Sequence, residues 1–176
     1  INAPTTTAGT FTYNLLSIKE GSANACSQNV TGSLVVTVNE LPTATIAGTT
    51  EVCLNVPAPN VTFTGAAGVA PYTFTYTING GAALTVTSTG NTATVTAPTT
   101  TPGTYTYSLV SVQDASPAAC SQPQTGSAIV TVNPLPSATI SGTNTVCQHA
   151  TAPAVTFTGA TGTAPYTFTY TINVGA

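Results

Sequence analysis

Charged side chains are almost absent from this 176-residue sequence, which has one Lys or Arg, four Asp or Glu and one His, for a net charge of −3. A chain with one cation lacks the basic surface that nucleic acid or anionic lipid requires. It also lacks any apolar run of roughly 18 residues, so we expect no membrane span. Met and Trp are missing altogether.

Threonine takes the place of charged residues in this chain, which contains 40 of them. Thr is β-branched, suits a pleated strand and still hydrogen-bonds water. In the segment 71–79, three threonines alternate with Tyr72, Phe74, Tyr76 and Ile78. This period of two predicts a half-buried strand, and the Asn79-Gly80 pair that follows predicts a two-residue hairpin turn.

The same nine residues return letter for letter at 165–173. Aligning 1–82 with 95–176 gives 53 identities in 82 positions without a gap, so the chain is a tandem repeat with a period of 94 residues. We therefore predict three domains: 1–40 as the C-terminal part of one repeat, 41–134 as a complete repeat, and 135–176 as the N-terminal part of the next. A truncated sandwich leaves open edges and a bare apolar face. We accordingly expect a window of a longer polypeptide, with no start methionine, signal peptide or anchor inside it.

The complete repeat contains seven stretches with strand-like alternation, bounded by turn residues. These are 43–46, 60–64, 71–79, the return through 84–86, 93–95, 103–112 and 127–132. The segments 51–59 and 97–102 are expected to be irregular crossings, and 113–125 the longest loop. The apolar positions change from one strand face to the other near Leu109, and likewise near Leu15, which predicts a β-bulge at each place. Seven such strands predict an all-β fold of tandem immunoglobulin-like β-sandwiches.

Each repeat carries two cysteines, which in a Thr-rich chain indicates an oxidising, extracellular setting. A bridge between Cys53 and Cys120 would close a loop of about 67 residues and contribute about 4 kcal/mol. Cys26 and Cys147 would then pair with residues outside this sequence. The rival pairing is Cys26 with Cys53 and Cys120 with Cys147. Metal binding is a weaker third reading, since no second Cys or His lies at ligand spacing.

A catalytic or cofactor site cannot be assembled from these residues. His149 aligns with Asn55 and is interpreted as a loop residue. Glu20 and Asp114 coincide by the repeat, and turn formation or capping is favoured over a calcium ligand, which needs several carboxylates. We predict no catalytic residue, no metal site and no cofactor.

Two sequence patterns could indicate carbohydrate, one as an attachment site and the other as a binding surface. Asn29 and Asn60 match the glycosylation acceptor pattern, but Pro123 and Ala154 replace them in the other copies, so chance is favoured. Four tyrosines could form a platform for sugar, but they share strand faces with Phe74 and Leu109, so core packing is favoured. They are Tyr72, Tyr76, Tyr105 and Tyr107.

Five motifs carry a family resemblance: Thr-Val-Cys-Gln (145–148), Pro-x-Val-Thr-Phe-Thr-Gly (153–159), Ala-Pro-Tyr-Thr-Phe-Thr-Tyr-Thr-Ile-Asn (70–79), Ala-Cys-Ser-Gln (119–122) and Val-Thr-Val-Asn-Pro-Leu-Pro (130–136). Together they resemble the PKD-like, immunoglobulin-like repeats of giant surface proteins of Bacteroidota, among them the flavobacterial gliding-motility adhesins. The resemblance implies type IX secretion, display at the cell surface as long filaments, and attachment to surfaces or polysaccharide. It supplies no catalytic residues. The chain departs from the pattern at Asn173-Val174, where the usual turn is Asn-Gly.

These observations predict a non-catalytic structural or adhesive segment of an extracellular filament. Its expected partners are neighbouring repeats of the same chain, further copies in fibres, and polysaccharide or solid surfaces. The alternative is a carbohydrate-binding or spacer module of a secreted multidomain protein.

Overall fold

A computed structural model describes residues 1–142 and 145–173, and within them every regular element is a β-strand. No helix long and apolar enough to cross a membrane occurs in this described part. The strands are β1 Gly9–Lys19, β2 Ser27–Val38, β3 Thr43–Ala47, β4 Thr50–Cys53, β5 Asn60–Ala66, β6 Thr73–Ile78, β7 Leu84–Thr87, β8 Thr92–Thr96, β9 Gly103–Gln113, β10 Ser121–Pro123, β11 Ser127–Asn133, β12 Ser137–Ser141 and β13 Thr156–Ala160. The all-β prediction is confirmed.

Backbone pairing arranges the described strands in four sheets. β1 pairs with β2, and β12 with β13, each as an antiparallel pair. A three-stranded sheet has the order β3-β5-β8. The largest sheet has the order β4-β11-β9-β6-β7, with β10 on the end of β9. The two larger sheets therefore contain only strands from the central repeat.

By its internal contacts the chain divides into two compact units. The first comprises Ile1–Ala47, Val61–Val95 and Thr106–Ala128, and the second comprises Gly48–Asn60, Thr96–Tyr105 and Ile129–Ala176.

An aromatic core fills the first unit. Tyr72, Phe74 and Tyr76, which the alternation places on one face of β6, are all buried. Phe63 of β5 stacks on Phe74 with ring centroids 5.6 Å apart and lies 5.0 Å from Tyr76. Since β5 and β6 belong to different sheets, these contacts pack one sheet on the other, as in a β-sandwich.

The β-bulge predicted near Leu109 is confirmed. In the β6–β9 ladder Thr75 pairs with Ser111 and Tyr76 with Leu109, so Val110 has no partner in β6. The bulge lets Leu109 and Val112 both point inward, 4% and 0% exposed, whereas Val110 is 42% exposed. The β1–β2 ladder shifts register at the equivalent place, between Leu15 and Ser17.

The two-residue turn predicted at Asn79-Gly80 is formed, since the Gly81 N–H donates to the Ile78 carbonyl at 3.0 Å, but the strands around it do not pair directly. Asn79 and Gly80 both have positive φ, 51° and 70°, as a type I′ turn requires. The ladder between β6 and β7 nevertheless begins only at Tyr76 and Leu84. The loop is thus longer than two residues, because Ala82 and its neighbours do not continue the pairing.

Two short strands lie where irregular chain was expected. Within the crossing 51–59, part of β4 pairs in parallel with β11, Val52 opposite Val132. Within the loop 113–125, β10 pairs with the end of β9. The expectations of irregular chain were wrong at these short strands and correct for 54–59 and 114–120. Such short strands depend on partners that local alternation does not reveal.

Candidate functional site

Asp114 holds together two loops of the first unit. Its Oδ2 accepts a hydrogen bond from the backbone N–H of Val69 at 3.1 Å, and its Oδ1 accepts from the Ser116 N–H at 3.3 Å and hydroxyl at 2.8 Å. The Ala115 N–H donates back to the Val69 carbonyl at 2.8 Å. Gly68 permits this approach, because it has a φ of 68° and an added Cβ would lie 2.6 Å from Asp114 Oδ2. Asp114 thus acts as a turn and cap residue, the interpretation that the sequence favoured.

Burial and hydrogen bonding act in opposite directions on this carboxyl. Desolvation alone would raise the pKa of Asp114, which is only 5% exposed. The hydrogen bonds from Ser116 and from the backbone N–H of Val69 outweigh it and lower the pKa below its usual value. The charged form is therefore the one that the folded chain stabilises.

The loop that follows Asp114 covers the start of the repeat. Gln124 Oε1 accepts a hydrogen bond from the Ala44 N–H at 3.2 Å. Pro42, two residues before Ala44, is fully buried. We call residues 114–124 the covering loop.

In the part of the chain that the structure describes, no group of three His, Cys, Asp or Glu side chains could hold a metal ion. His149 is exposed and has a φ of 67°, and Asn55 at the equivalent position has 63°. Both residues thus serve the same left-handed turn, in agreement with the interpretation of His149 as a loop residue.

The tyrosines are mainly core residues. Tyr72, Tyr76 and Tyr107 are buried, and the Tyr76 and Tyr107 rings stack with centroids 6.3 Å apart. Tyr105 is half-buried, and its hydroxyl donates to the Thr101 carbonyl at 3.0 Å. The complete repeat therefore does not present these four rings as a row for sugar. The acceptor residues Asn29 and Asn60 are both exposed.

All four cysteines are free thiols in this structure. Cys53 ends β4 and is exposed, whereas Cys120 lies before β10 and is half-buried, with its Sγ 3.8 Å from the Ser116 hydroxyl. Cys26 and Cys147 are exposed. The bridge between Cys53 and Cys120 stays a prediction.

The hairpin of β1 and β2 exposes side chains whose equivalents are core residues. Leu15, Ile18 and Leu34 are 57%, 62% and 64% exposed. The residues 94 positions later are 4%, 0% and 0% exposed, respectively Leu109, Val112 and Ala128. We call the surface formed by Leu15, Ile18 and Leu34 the hairpin face.

The last copy has an open groove of about 680 Å³ between residues 133 and 168. Pro136, Tyr166 and Phe168 line it, and Pro136 is exposed although its equivalent Pro42 is fully buried. The aromatic cluster beside the groove is nevertheless formed, since Phe157 lies 5.7 Å from Phe168 and 5.1 Å from Tyr170. We call the groove lined by residues within 133–138 and 162–168 the front-half groove.

Sequence reasoning missed the groove. It named Asp114 as a turn or cap residue but not its glycine partner, although Gly68 recurs as Gly162 and the acid at Asp114 recurs as Glu20. Only the structure shows that glycine and acid meet.

Comparison with protein-family models, with curated proteins and with solved structures finds no match to this chain.

Proposed function

We propose that this chain is a non-catalytic structural and adhesive segment of a long extracellular filament, built from PKD-like, immunoglobulin-like sandwiches with a period of 94 residues. The observation that carries the proposal is the repetition of one core in successive copies. Phe63 and Phe74 lie 5.6 Å apart in the central copy, and Phe157 and Phe168 lie 5.7 Å apart in the next. Identical units in series extend a chain, and such arrays provide long surfaces for contact.

The surface chemistry supports adhesion that does not depend on charge. Thr73, Thr75 and Thr77 occupy the face of β6 opposite the aromatic core, and only 3% of the chain is charged. Contacts made through hydroxyl and methyl groups have few charges for salt to screen. Attachment to polysaccharide or to a solid surface would thus persist at high ionic strength.

Cell-surface display is the part of the proposal that a cellular experiment tests. Antibodies raised against the purified chain should label intact, unpermeabilised cells of the organism that makes it, and protease added outside should remove the label. Label that appears only after permeabilisation overturns the extracellular assignment, and with it the proposed export by type IX secretion.

Adhesion itself is tested with the purified chain on polysaccharide-coated and bare solid surfaces. We expect retention that is equal in low and high salt. A protein of similar size whose attachment depends on charge serves as the control, and it should wash off in high salt. No retention on any surface would reduce the role to that of a passive spacer.

The alternative is a carbohydrate-binding module, which one exposed aromatic side chain favours. Tyr170 is 61% exposed, although the equivalent Tyr76 is 6% exposed. An exposed aromatic ring can stack on a sugar. Binding to a glycan array that is lost in Tyr170→Ala and retained in Thr169→Ala would support this reading, whereas absence of binding would contradict it.

A further inference from the structure

One strand edge of the complete central repeat has none of the features that usually protect an edge. β8 ends the sheet β3-β5-β8, and no described strand lies on its other side. An unprotected edge is a template for pairing with another chain, and proteins block it with charged side chains, Pro or covering chain. β8 contains neither a charged residue nor Pro, and no charged residue occurs anywhere between residues 52 and 113.

Two other edges of the same repeat are protected. At β3 the Ala44 N–H donates to Gln124 Oε1 at 3.2 Å, so the covering loop occupies that edge. β4 carries Glu51, whose carboxylate accepts a hydrogen bond from Asn133 Nδ2 at 2.6 Å. β7 is as free of charge as β8, but it has four residues and β8 has five. Among the edges of these two sheets, β8 is therefore the longest one without protection.

The backbone groups that β8 directs outward belong to threonines. The Asn91 carbonyl and the Ala97 N–H bond to β5 and to the residue before it, at 2.8 and 2.9 Å. Since the N–H and C=O groups of alternate residues point to opposite sides of a strand, those of Thr92, Thr94 and Thr96 point away from β5. The Thr92 carbonyl already accepts a hydrogen bond from the turn before β8 at 3.1 Å. Thr94 and Thr96 thus hold the donors and acceptors that this edge offers to another strand.

We propose that β8 pairs with β8 of a second copy of this chain, antiparallel and about a two-fold axis at Val95. In this register Thr94 of each molecule lies opposite Thr96 of the other. Each such pair exchanges both of its N–H···O bonds, as residues opposite each other in an antiparallel ladder do. The two β3-β5-β8 sheets become one continuous sheet.

The side chains of β8 match their own copies in this register. Thr94 and Thr96 are exposed, whereas Val95 is half-buried and shares the core-facing side of the strand with buried Ala93. The contact therefore forms Thr–Thr pairs on the solvent side and a Val–Val pair on the core side. Thr pairs stabilise neighbouring strands, and the Val pair removes apolar surface from water. Because both molecules use the same residues, the contact is isologous and closes as a dimer.

The contact depends neither on the ends of the chain nor on adhesion, because β8 lies inside the complete repeat. A single contact of this size is weak. In the proposed filament it would recur with each repeat and join two filaments side by side, where many weak contacts add up. That role rests on the proposed function, whereas dimerisation of the purified chain does not.

Charge on the solvent side of β8 tests the contact. Sedimentation of the full chain under reducing conditions, up to the highest soluble concentration, should show an equilibrium between monomer and dimer. The double variant Thr94→Glu/Thr96→Glu places like charges opposite each other and should weaken dimerisation about 10-fold. The matched double variant Thr85→Glu/Thr87→Glu changes two exposed threonines of β7 and should leave dimerisation unchanged.

A mixture of variants tests whether β8 faces β8. Thr94→Lys/Thr96→Lys should also dimerise poorly by itself, but an equimolar mixture with the Glu double variant should form a 1:1 dimer, most strongly at low salt. Amide hydrogen exchange of wild-type Thr94 and Thr96 should slow as the concentration rises, and that of the β7 threonines should not. Wild-type chains that stay monomeric at the highest soluble concentration would overturn the proposal. Equal effects of the β7 and β8 Glu variants, or a mixture that associates no better than its components, would also overturn it.

Discussion

The carboxylate of Asp114 and the backbone N–H of Val69 are joined by a hydrogen bond of 3.1 Å between residues 45 positions apart. Asp114 is 5% exposed, so water does not replace this bond when it is lost. The contact ties the covering loop to the loop before β6, and it depends on Gly68, which has no Cβ to obstruct the carboxylate.

Removal of this charge should destabilise the chain. We expect Asp114→Asn to lower the free energy of unfolding by about 1–3 kcal/mol, because a hydrogen-bonded buried carboxylate is replaced by a weaker acceptor. Urea denaturation followed by tyrosine fluorescence measures the change. Glu40→Gln, which alters an exposed carboxyl, is the matched control and should change stability by less than about 0.5 kcal/mol. Equal effects of the two substitutions would contradict the assignment.

The same carboxyl should make stability depend on pH. Its pKa is lowered by folding, so its contribution is fully present above the pKa of the unfolded chain and is lost as the pH falls through the lower folded value. Denaturation series at neutral pH and in acid should show a smaller acid-induced loss in Asp114→Asn than in the wild type. An identical loss in the two proteins would show that Asp114 is not the responsible group.

The close approach of the Tyr72 ring requires a glycine at position 65. A Cβ on Gly65 would lie 2.5 Å from Tyr72 Cγ and Cδ2, and Gly159 bears the same relation to Tyr166. We expect Gly65→Ala to cost about 1–3 kcal/mol, since the buried ring must shift. Gly21→Ala is the control, because no atom lies within 4 Å of the added Cβ. Thermal melts that agree for the two variants would refute the close-packing argument.

Oxidation tests the predicted bridge. Air-oxidised protein should yield a cross-linked peptide pair containing Cys53 and Cys120 on non-reducing peptide mapping, and reduction should lower stability by about 4 kcal/mol. Cys53→Ser should abolish the difference in stability between the oxidised and the reduced protein. Cross-links of Cys26 with Cys53 and of Cys120 with Cys147 would favour the rival pairing.

The alternation of Thr with apolar residues was enough to predict most of the central sheets. It located β6 and β9, and the phase slip at Leu109 predicted the bulge, because inward and outward positions are visible in the sequence itself. It could not locate β4, whose pairing with β11 joins residues about 80 positions apart. Nor could it predict the contact between Gly68 and Asp114, since both residues look like ordinary loop residues.

The identical segments 71–79 and 165–173 show how far sequence alone determines structure here. Residues 73–78 form β6 between β7 and β9, whereas 167–172 form no strand. The backbone groups of the second segment have no neighbouring ladder, and Ile172 is 79% exposed. The same letters therefore give a strand only where the rest of the sandwich supplies hydrogen-bond partners.

The central claim is that this repeated strand sequence forms a strand only where the rest of the sandwich pairs with it. Amide hydrogen exchange of the two segments, resolved by NMR, tests it most directly. Intrinsic exchange rates are matched, because the residues are the same. The account predicts strong protection of Phe74, Tyr76 and Ile78 and rapid exchange of Phe168, Tyr170 and Ile172. Equal protection of the two segments would contradict it.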